Sequence, residues 1–333
     1  MITDRTDGAS LLSVEHLRTV FRLADGRDAA AVDDVSFSIA PGETLGLVGE
    51  SGSGKSVTAL SIMGLVGPPG RIAAGRLVFE GRDLAHIGDE AMRRIRGRRI
   101  GFVFQEPMVA LDPVYTVGFH IEEALTVHGL ARGAAARRRT LELLEAVRIP
   151  DPVRRAAEYP HQLSGGLRQR AMIAIAIAAN PALLIADEPT TALDATVQAE
   201  ILDLLRDMRR TFNLALLLIT HDLGVVADMA DRVAVMYAGR IVEEAPTSQI
   251  FAAPAHPYTR ALLGSVPGSH PGARLVALPG NVPAIGALPE SCAFAPRCPH
   301  RFDRCHVPPP MVVVGPGHGA RCYLPEPNVE GGP

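Results

Sequence analysis

The sequence predicts an α/β fold built around a mostly parallel sheet, and three observations carry that prediction. Short, almost wholly apolar runs at 44–48, 182–186 and 214–220 alternate with segments of helical periodicity. A glycine-rich turn, Gly49-Glu50-Ser51-Gly52-Ser53-Gly54, joins the first run to the helix pattern at 56–65. Past about residue 252 the texture changes: Pro and Gly become dense, periodicity fades, and all four cysteines of the chain appear.

Taken in order, residues 11–40 read as short strands. Val14-Glu15-His16-Leu17 and Val35-Ser36-Phe37-Ser38-Ile39 alternate apolar and polar, as a half-buried antiparallel sheet does. Leu77-Val78-Phe79 is a further strand, and Ile100-Gly101-Phe102-Val103-Phe104 is another that ends at Gln105. Residues 107–162 read as mainly helical, with Leu141, Leu144 and Val147 at helical spacing. The buried strand at 182–186 leads to a helix near 196–210, and a second buried strand runs through 214–220. A boundary falls near 252–265, dividing the chain into 1–252 and 253–333, and no internal repeat is evident.

The 333 residues carry 33 basic and 36 acidic side chains, a net charge of −3, which argues against a general nucleic-acid binder. Arg93-Arg94, Arg96, Arg98-Arg99 and Arg137-Arg138-Arg139 have no aromatic platform beside them and read as solvated faces, with membrane headgroups or a transporter as the other possible contacts. With 47% hydrophobic and 21% charged residues the chain is globular, not disordered. No apolar run reaches 18 residues, and the polar stretch 1–7 lacks a signal-peptide core, so the chain is expected not to span a membrane. The compartment is therefore expected to be reducing, which favours metal ligation or free thiols over disulfides.

Of the 33 basic residues only Lys55 is a lysine. It closes Gly49-Glu50-Ser51-Gly52-Ser53-Gly54-Lys55-Ser56, which fits G-x-x-x-x-G-K-[ST] at every fixed position and lies between a strand and a helix. Such glycines let backbone N–H groups curl around phosphate oxygens, helped by the positive end of the helix that continues through Val57. Lys55 is expected to reach the β- and γ-phosphates and Ser56 to ligate Mg²⁺. Leu183-Leu184-Ile185-Ala186-Asp187-Glu188 is a buried strand ending in two acids. There Asp187 would hold Mg²⁺ and Glu188 would act as general base on the attacking water. His221, after the next apolar strand, can contact the γ-phosphate, and Gln105 can offer its amide to the metal or the water.

Together with Leu163-Ser164-Gly165-Gly166-Leu167-Arg168-Gln169-Arg170 and Ala192-Leu193-Asp194, these segments occur in the order and spacing of an ABC-transporter ATPase. They resemble its Walker A, Q-loop, signature, Walker B, D-loop and H-loop over about residues 11–250. The resemblance implies an ABC-type nucleotide-binding domain: a RecA-like parallel-sheet core, an antiparallel β-subdomain and a helical subdomain at about 107–162. It implies that Ser164, Gly165 and Gly166, with Asp194, complete an ATP site held mainly by a second ATPase subunit. The fifth signature residue, often Gln in the family, is Leu167 here. An adenine-stacking aromatic is also implied; Phe21 is the candidate, and a core Phe is the other reading. Soluble relatives acting on DNA carry long coiled coils between Walker A and the signature, whereas Lys55 and Ser164 lie 109 residues apart with no heptad run. Ribosome-acting relatives carry two cassettes in one chain.

Tyr237-Ala238-Gly239-Arg240-Ile241-Val242-Glu243-Glu244 and His256-Pro257-Tyr258-Thr259-Arg260-Ala261-Leu262 resemble the C-terminal extension of dipeptide and oligopeptide importer ATPases. That resemblance implies a subunit powering peptide import at the cytoplasmic face of the cell membrane. Its implied partners are a second ATPase, two transmembrane permease subunits and, through them, an extracytoplasmic peptide-binding protein. Relatives with the same extension serve nickel or glutathione importers. Cys292-x5-Cys298-x6-Cys305-x16-Cys322 lacks the tight pairs of a zinc ribbon, and a metal standing in for a core suits so little apolar content. The family resemblance implies a [4Fe–4S] cluster on Cys292, Cys298, Cys305 and Cys322; zinc and unligated thiols are the alternatives.

Overall fold

The computed structural model describes residues 10–85, 87–265, 278 and 280–324; the stretch 1–7 read above for a signal peptide lies outside them. Its strands are β1 (Leu12–Arg22), β2 (Asp28–Ile39), β3 (Thr44–Val48), β4 (Gly70–Phe79), β5 (Arg82–Asp83), β6 (Ile100–Val103), β7 (Leu183–Asp187), β8 (Ala215–Thr220), β9 (Arg232–Tyr237), β10 (Arg240–Pro246), β11 (Val312–Gly315) and β12 (His318–Ala320). Two units form, one from 1–40, 44–85 and 220–333, the other from 41–43 and 86–219.

In the first unit an antiparallel sheet runs β2-β1-β4-β5. β1 and β2 pair from Leu12↔Ile39 to Arg22↔Asp28, a longer hairpin than the alternation predicts. The reason is local. His16 and Asp34 adopt left-handed backbone conformations (φ 51° and 56°), and the register shifts there, breaking the period-2 pattern while pairing continues. The same unit holds β11-β12-β10-β9-β3, with β3 and β9 parallel and the other pairs antiparallel. β9 and β10 join through a two-residue turn, Ala238-Gly239, both at positive φ (48° and 80°), the geometry that suits the strand twist. A side chain on Gly239 would lie 2.9 Å from the Ala31 carbonyl, so glycine is needed there twice over.

Residues beyond 252 are built into this unit. Tyr258 and Phe294 pack on Tyr237 with ring centroids 4.6 and 5.3 Å away, among Val235, Val242 and Ile250. All three rings are almost fully buried, each stabilising the fold by roughly 1.5–3 kcal/mol. The carboxylate of Glu243, fully buried on β10, accepts from the N–H groups of Ala255 (2.6 Å) and His256 (2.9 Å) and pairs with His318 Nε2 (2.7 Å). Three partners on one buried acid offset its desolvation.

In the second unit β6, β7 and β8 are parallel and buried on both faces, as their unbroken apolar sequences require. Gly101 on β6 is forced by a close approach, since a Cβ would meet the Ala176 carbonyl at 2.4 Å. Between β6 and β7 lie helices Pro107–Ala110, Val117–Val127, Ala134–Ala146, Pro152–Ala157 and Gly165–Ile177. The amphipathic helix Ala195–Phe212 follows β7 and buries Ile201, Leu202, Leu204, Leu205 and Met208.

Candidate functional site

β3 runs straight into the glycine-rich loop, and Lys55 opens the helix Lys55–Ile62. The glycines are conformational necessities. Gly49 (φ 156°) would place a Cβ 2.1 Å from the Met236 carbonyl, and Gly54 (φ 103°) 2.6 Å from that of Ala31. Gly54 is also the helix N-cap, and it supplies no side-chain bond to the first-turn N–H groups. The turn between β9 and β10 braces the loop, Gly239 N–H donating to the Ser53 carbonyl at 2.8 Å. Buried Lys55 curls over the loop, its Nζ donating to the carbonyls of Gly49 (2.8 Å) and Glu50 (3.0 Å). Ser53 Oγ is buried with no hydrogen-bond partner among the described residues. A narrow glycine cradle, an orphaned hydroxyl, a held ammonium and a helix N-terminus form a receptor for a phosphate anion.

In the second unit Asp187 is buried at the C-terminal end of β7, the end at which such sheets take ligands. Glu188 follows in a left-handed conformation (φ 47°), an uncommon one for a side-chain residue. Its N–H is tied to the Ile219 carbonyl (2.9 Å), and its Oε2 accepts from Thr191 Oγ1 (2.8 Å) and Gln105 Nε2 (3.3 Å). Two sequence-predicted residues 83 positions apart are thus brought together, although β6 stops at Val103, two residues short of Gln105. His221 lies exposed just beyond β8, in the first unit. The hydroxyl of Ser56 and the carboxylate of Asp187 are each hard oxygen donors of the kind that Mg²⁺ takes.

Ser164 caps the helix Gly165–Ile177, its Oγ accepting from Leu167 N–H at 3.4 Å, and Ser164 and Gly165 are exposed. Leu167 therefore contributes a backbone N–H to the cap, and its side chain is half-buried. Gly166 has no room for a side chain, since a Cβ would meet Val197 at 2.6 Å. Asp194 caps the helix Ala195–Phe212, accepting from Thr196 and Val197 N–H at 3.1 and 3.0 Å.

The family profile of the ABC transporter matches residues 32–191, and that of the oligopeptide/dipeptide transporter C-terminal region matches 242–305. A putative peptide import ATP-binding protein of Brucella ovis is 52% identical over 94% of this chain and 96% of its own length. The chain belongs to the ABC transporter ATP-binding family. A second putative peptide import ATP-binding protein, from Brucella abortus, is 50% identical over 94% of this chain and 95% of its own. Among solved structures, a dimeric ATP-binding cassette in a post-hydrolysis state with ADP and Pi superposes at TM-score 0.64, with 29% identity over 71% of this chain and 98% of that one. A component of an ABC transporter complex from Clostridium perfringens superposes at TM-score 0.62, with 27% identity over 73% of this chain and 91% of that one. The fold is that of the ABC ATPase cassette, an ATPase coupled to transport.

This ABC ATPase adds contacts that motif reading missed. Tyr258 and Arg297, from beyond residue 252, both bond Glu50 of the phosphate loop. At 208 and 247 residues' separation no local pattern signals these contacts. Phe21 is half-buried at the end of β1, with Gly70 against its ring.

The arginine clusters face carboxylates: Arg93 and Arg96 meet Asp89, Arg94 meets Glu90, and Arg138 and Arg139 meet Glu142. No described helix is long and apolar enough to cross a membrane.

The four-cysteine metal group is not formed: among the described residues no three His, Cys, Asp or Glu side chains are grouped to hold an ion. Cys292, Cys298, Cys305 and Cys322 are free thiols. Burial raises the pKa of Cys292 and Cys298, and it pushes that of Cys322 up to about 11, with the other three cysteines adding to the rise.

Proposed function

We propose that this chain is the ATP-hydrolysing subunit of a peptide importer, peripheral to the cytoplasmic face of the cell membrane, with 1–252 as ATPase domain and 253–333 as the importer-type extension. The observation that carries the cargo is the pairing of an ABC cassette with the oligopeptide/dipeptide transporter C-terminal region, at about half identity to relatives named for peptide import. Two permease subunits, an extracytoplasmic peptide-binding protein and a second ATPase are the partners. The exposed apolar side chains of Phe104, just before Gln105, and of Met108, Val109, Val114, Tyr115 and Phe119, after it, support a permease contact.

In the mechanism we assign, Gly49–Ser56 cradles the ATP phosphates, Lys55 engages the β- and γ-phosphates, and Val57 continues the helix behind them. Ser56 and Asp187, with the Gln105 amide, would hold Mg²⁺, which when bound neutralises charge on those phosphates. Glu188, oriented by Thr191 and Gln105, takes a proton from water as its oxygen attacks the γ-phosphorus. The bond to the ADP oxygen breaks, giving ADP and phosphate, while His221 steadies the γ-phosphate. Ser164, Gly165 and Gly166 offer a helix N-terminus to the γ-phosphate of the partner's ATP, and Asp194 holds the adjoining loop. Glu188→Gln is expected to retain ATP binding, lower kcat by about 10²–10⁴-fold and trap the ATPase pair; near-normal turnover would overturn the assignment of the base. Cargo is tested by ATP-dependent uptake into vesicles carrying the full transporter. Di- and oligopeptides are expected to accumulate, and accumulation of only nickel or glutathione would overturn the peptide reading.

For Cys292, Cys298, Cys305 and Cys322 the spacing and the family resemblance support a [4Fe–4S] cluster. Iron and labile sulfide are expected in anaerobically purified protein, and stoichiometric zinc without iron would overturn the cluster.

A further inference from the structure

Glu50 occupies a variable position of the phosphate-loop pattern, where any residue is allowed. Here it is the point at which the C-terminal extension takes hold of that loop. The Glu50 N–H donates to the Tyr258 hydroxyl at 2.9 Å. Its carboxylate accepts both terminal nitrogens of Arg297, at 2.8 and 3.0 Å. Its carbonyl accepts from Lys55 Nζ at 3.0 Å and from Ser53 N–H at 3.2 Å. One residue therefore links two side chains of the extension to the loop lysine. Neither anchor can wander: Tyr258 is fully buried, the Arg297 side chain is 6% exposed, and its guanidinium also lies over the Tyr237 ring, 5.7 Å from the centroid.

We infer that Tyr258 and Arg297 are positioning residues for the phosphate loop, through which the C-terminal extension sets the affinity for ATP. Two effects combine. The bidentate pair and the Tyr258 bond hold the Glu50 backbone in the conformation that closes the loop and seats Lys55. Arg297 also neutralises a carboxylate that would otherwise repel the triphosphate at close range. The inference rests on the loop being the ATP site.

The test is equilibrium binding of a fluorescent ATP analogue to the purified full chain, with thermal melting as the folding control. Tyr258→Phe removes only the hydroxyl and is expected to raise Kd by about threefold to tenfold. Arg297→Ala is expected to raise it by at least about tenfold. Adding Glu50→Gln to Arg297→Ala should recover much of that loss, because it removes the exposed charge. A residue that merely held the extension in place would show no such recovery. Wild-type affinity in both single variants, or no recovery in the double variant, overturns the inference. Should Arg297→Ala not fold, Tyr258→Phe decides alone. Lys55→Ala separates the two levels: if it leaves analogue binding intact, the reading of the loop falls. If it abolishes binding while Tyr258→Phe and Arg297→Ala bind normally, only the positioning role falls.

Discussion

Two helices of this ATPase begin at glycine-rich segments assigned to phosphate, and they are built in opposite ways. Lys55–Ile62 starts at a left-handed glycine with no side-chain cap, inside a loop buried enough that Ser53 and Lys55 are nearly inaccessible. Gly165–Ile177 starts at Ser164, whose hydroxyl caps the helix while lying exposed together with Gly165. The first receptor carries its cation and its phosphate-facing groups in eight consecutive residues, braced from Gly239, Tyr258 and Arg297. The second presents a finished helix end whose first residues are open to solvent. On the function proposed above, the difference divides the work of such a site: the enclosed end would bind the chain's own nucleotide, and the exposed end would serve one held by the partner.

The largest effect should come from disturbing the enclosed end. Lys55→Arg keeps the charge but asks a planar fork to fit where a compact ammonium reaches two carbonyls 2.8 and 3.0 Å away. Steady-state ATPase assays are expected to show kcat/KM lowered on the order of a hundredfold or more. Unchanged affinity for ATP would break the contrast, because the loop would then not be shaped around its lysine.

At the exposed end Ser164→Ala should be gentler on the fold than on turnover. Losing the cap is expected to cost about 1 kcal/mol, a fall of about 2–4 °C in Tm. If, as proposed, the hydroxyl also meets phosphate, turnover of the paired enzyme should drop by about tenfold or more. Stability loss without any turnover loss would reduce Ser164 to a cap.

The smallest effect sharpens the contrast with a third helix start. His256 caps Pro257–Gly264, its Nδ1 accepting from Tyr258 N–H at 3.0 Å, and the ring is buried. Burial depresses its pKa to about 3, with Arg260 adding to the shift. The folded protein therefore keeps His256 neutral while the unfolded chain takes up a proton below about 6.5, so stability falls as pH drops from about 6.5 toward 3. His256→Asn retains an acceptor for the cap and should flatten that acid-side loss in melts between pH 6.5 and 5, where few carboxylates titrate. An unaltered slope would assign the acid sensitivity to other groups.

The phosphate loop was legible because all its chemistry lies in eight consecutive residues whose glycines are each required by a clash or a positive φ. The apolar strands were legible for a related reason, since burial on both faces leaves an unbroken run. Gln105 and Glu188 were reachable only through the order of motifs, as nothing in either segment names the other. The β1–β2 hairpin was underestimated because two left-handed residues shift its register, and period-2 reading stops at such a break. Arg297 was hidden altogether. It reads as one arginine among 32, and its role exists only because the chain folds back over more than two hundred residues. The cysteine spacing and the family resemblance point to a metal group, which the described residues do not bring together.

The pairing of β12 with β10 has a practical side. Glu243 and Glu244 face Ala320 and Gly319 across that ladder, and His318 meets the buried Glu243 carboxylate. A chain cut at residue 252 would bare a row of open backbone donors and acceptors along β10, a template for pairing with other molecules. It would also strip a buried acid of His318 and of the Ala255 and His256 amides. Such a fragment is expected to self-associate, so the cassette is best handled as the whole chain, with the strand pairing supplied from beyond residue 252 acting as a guard against aggregation.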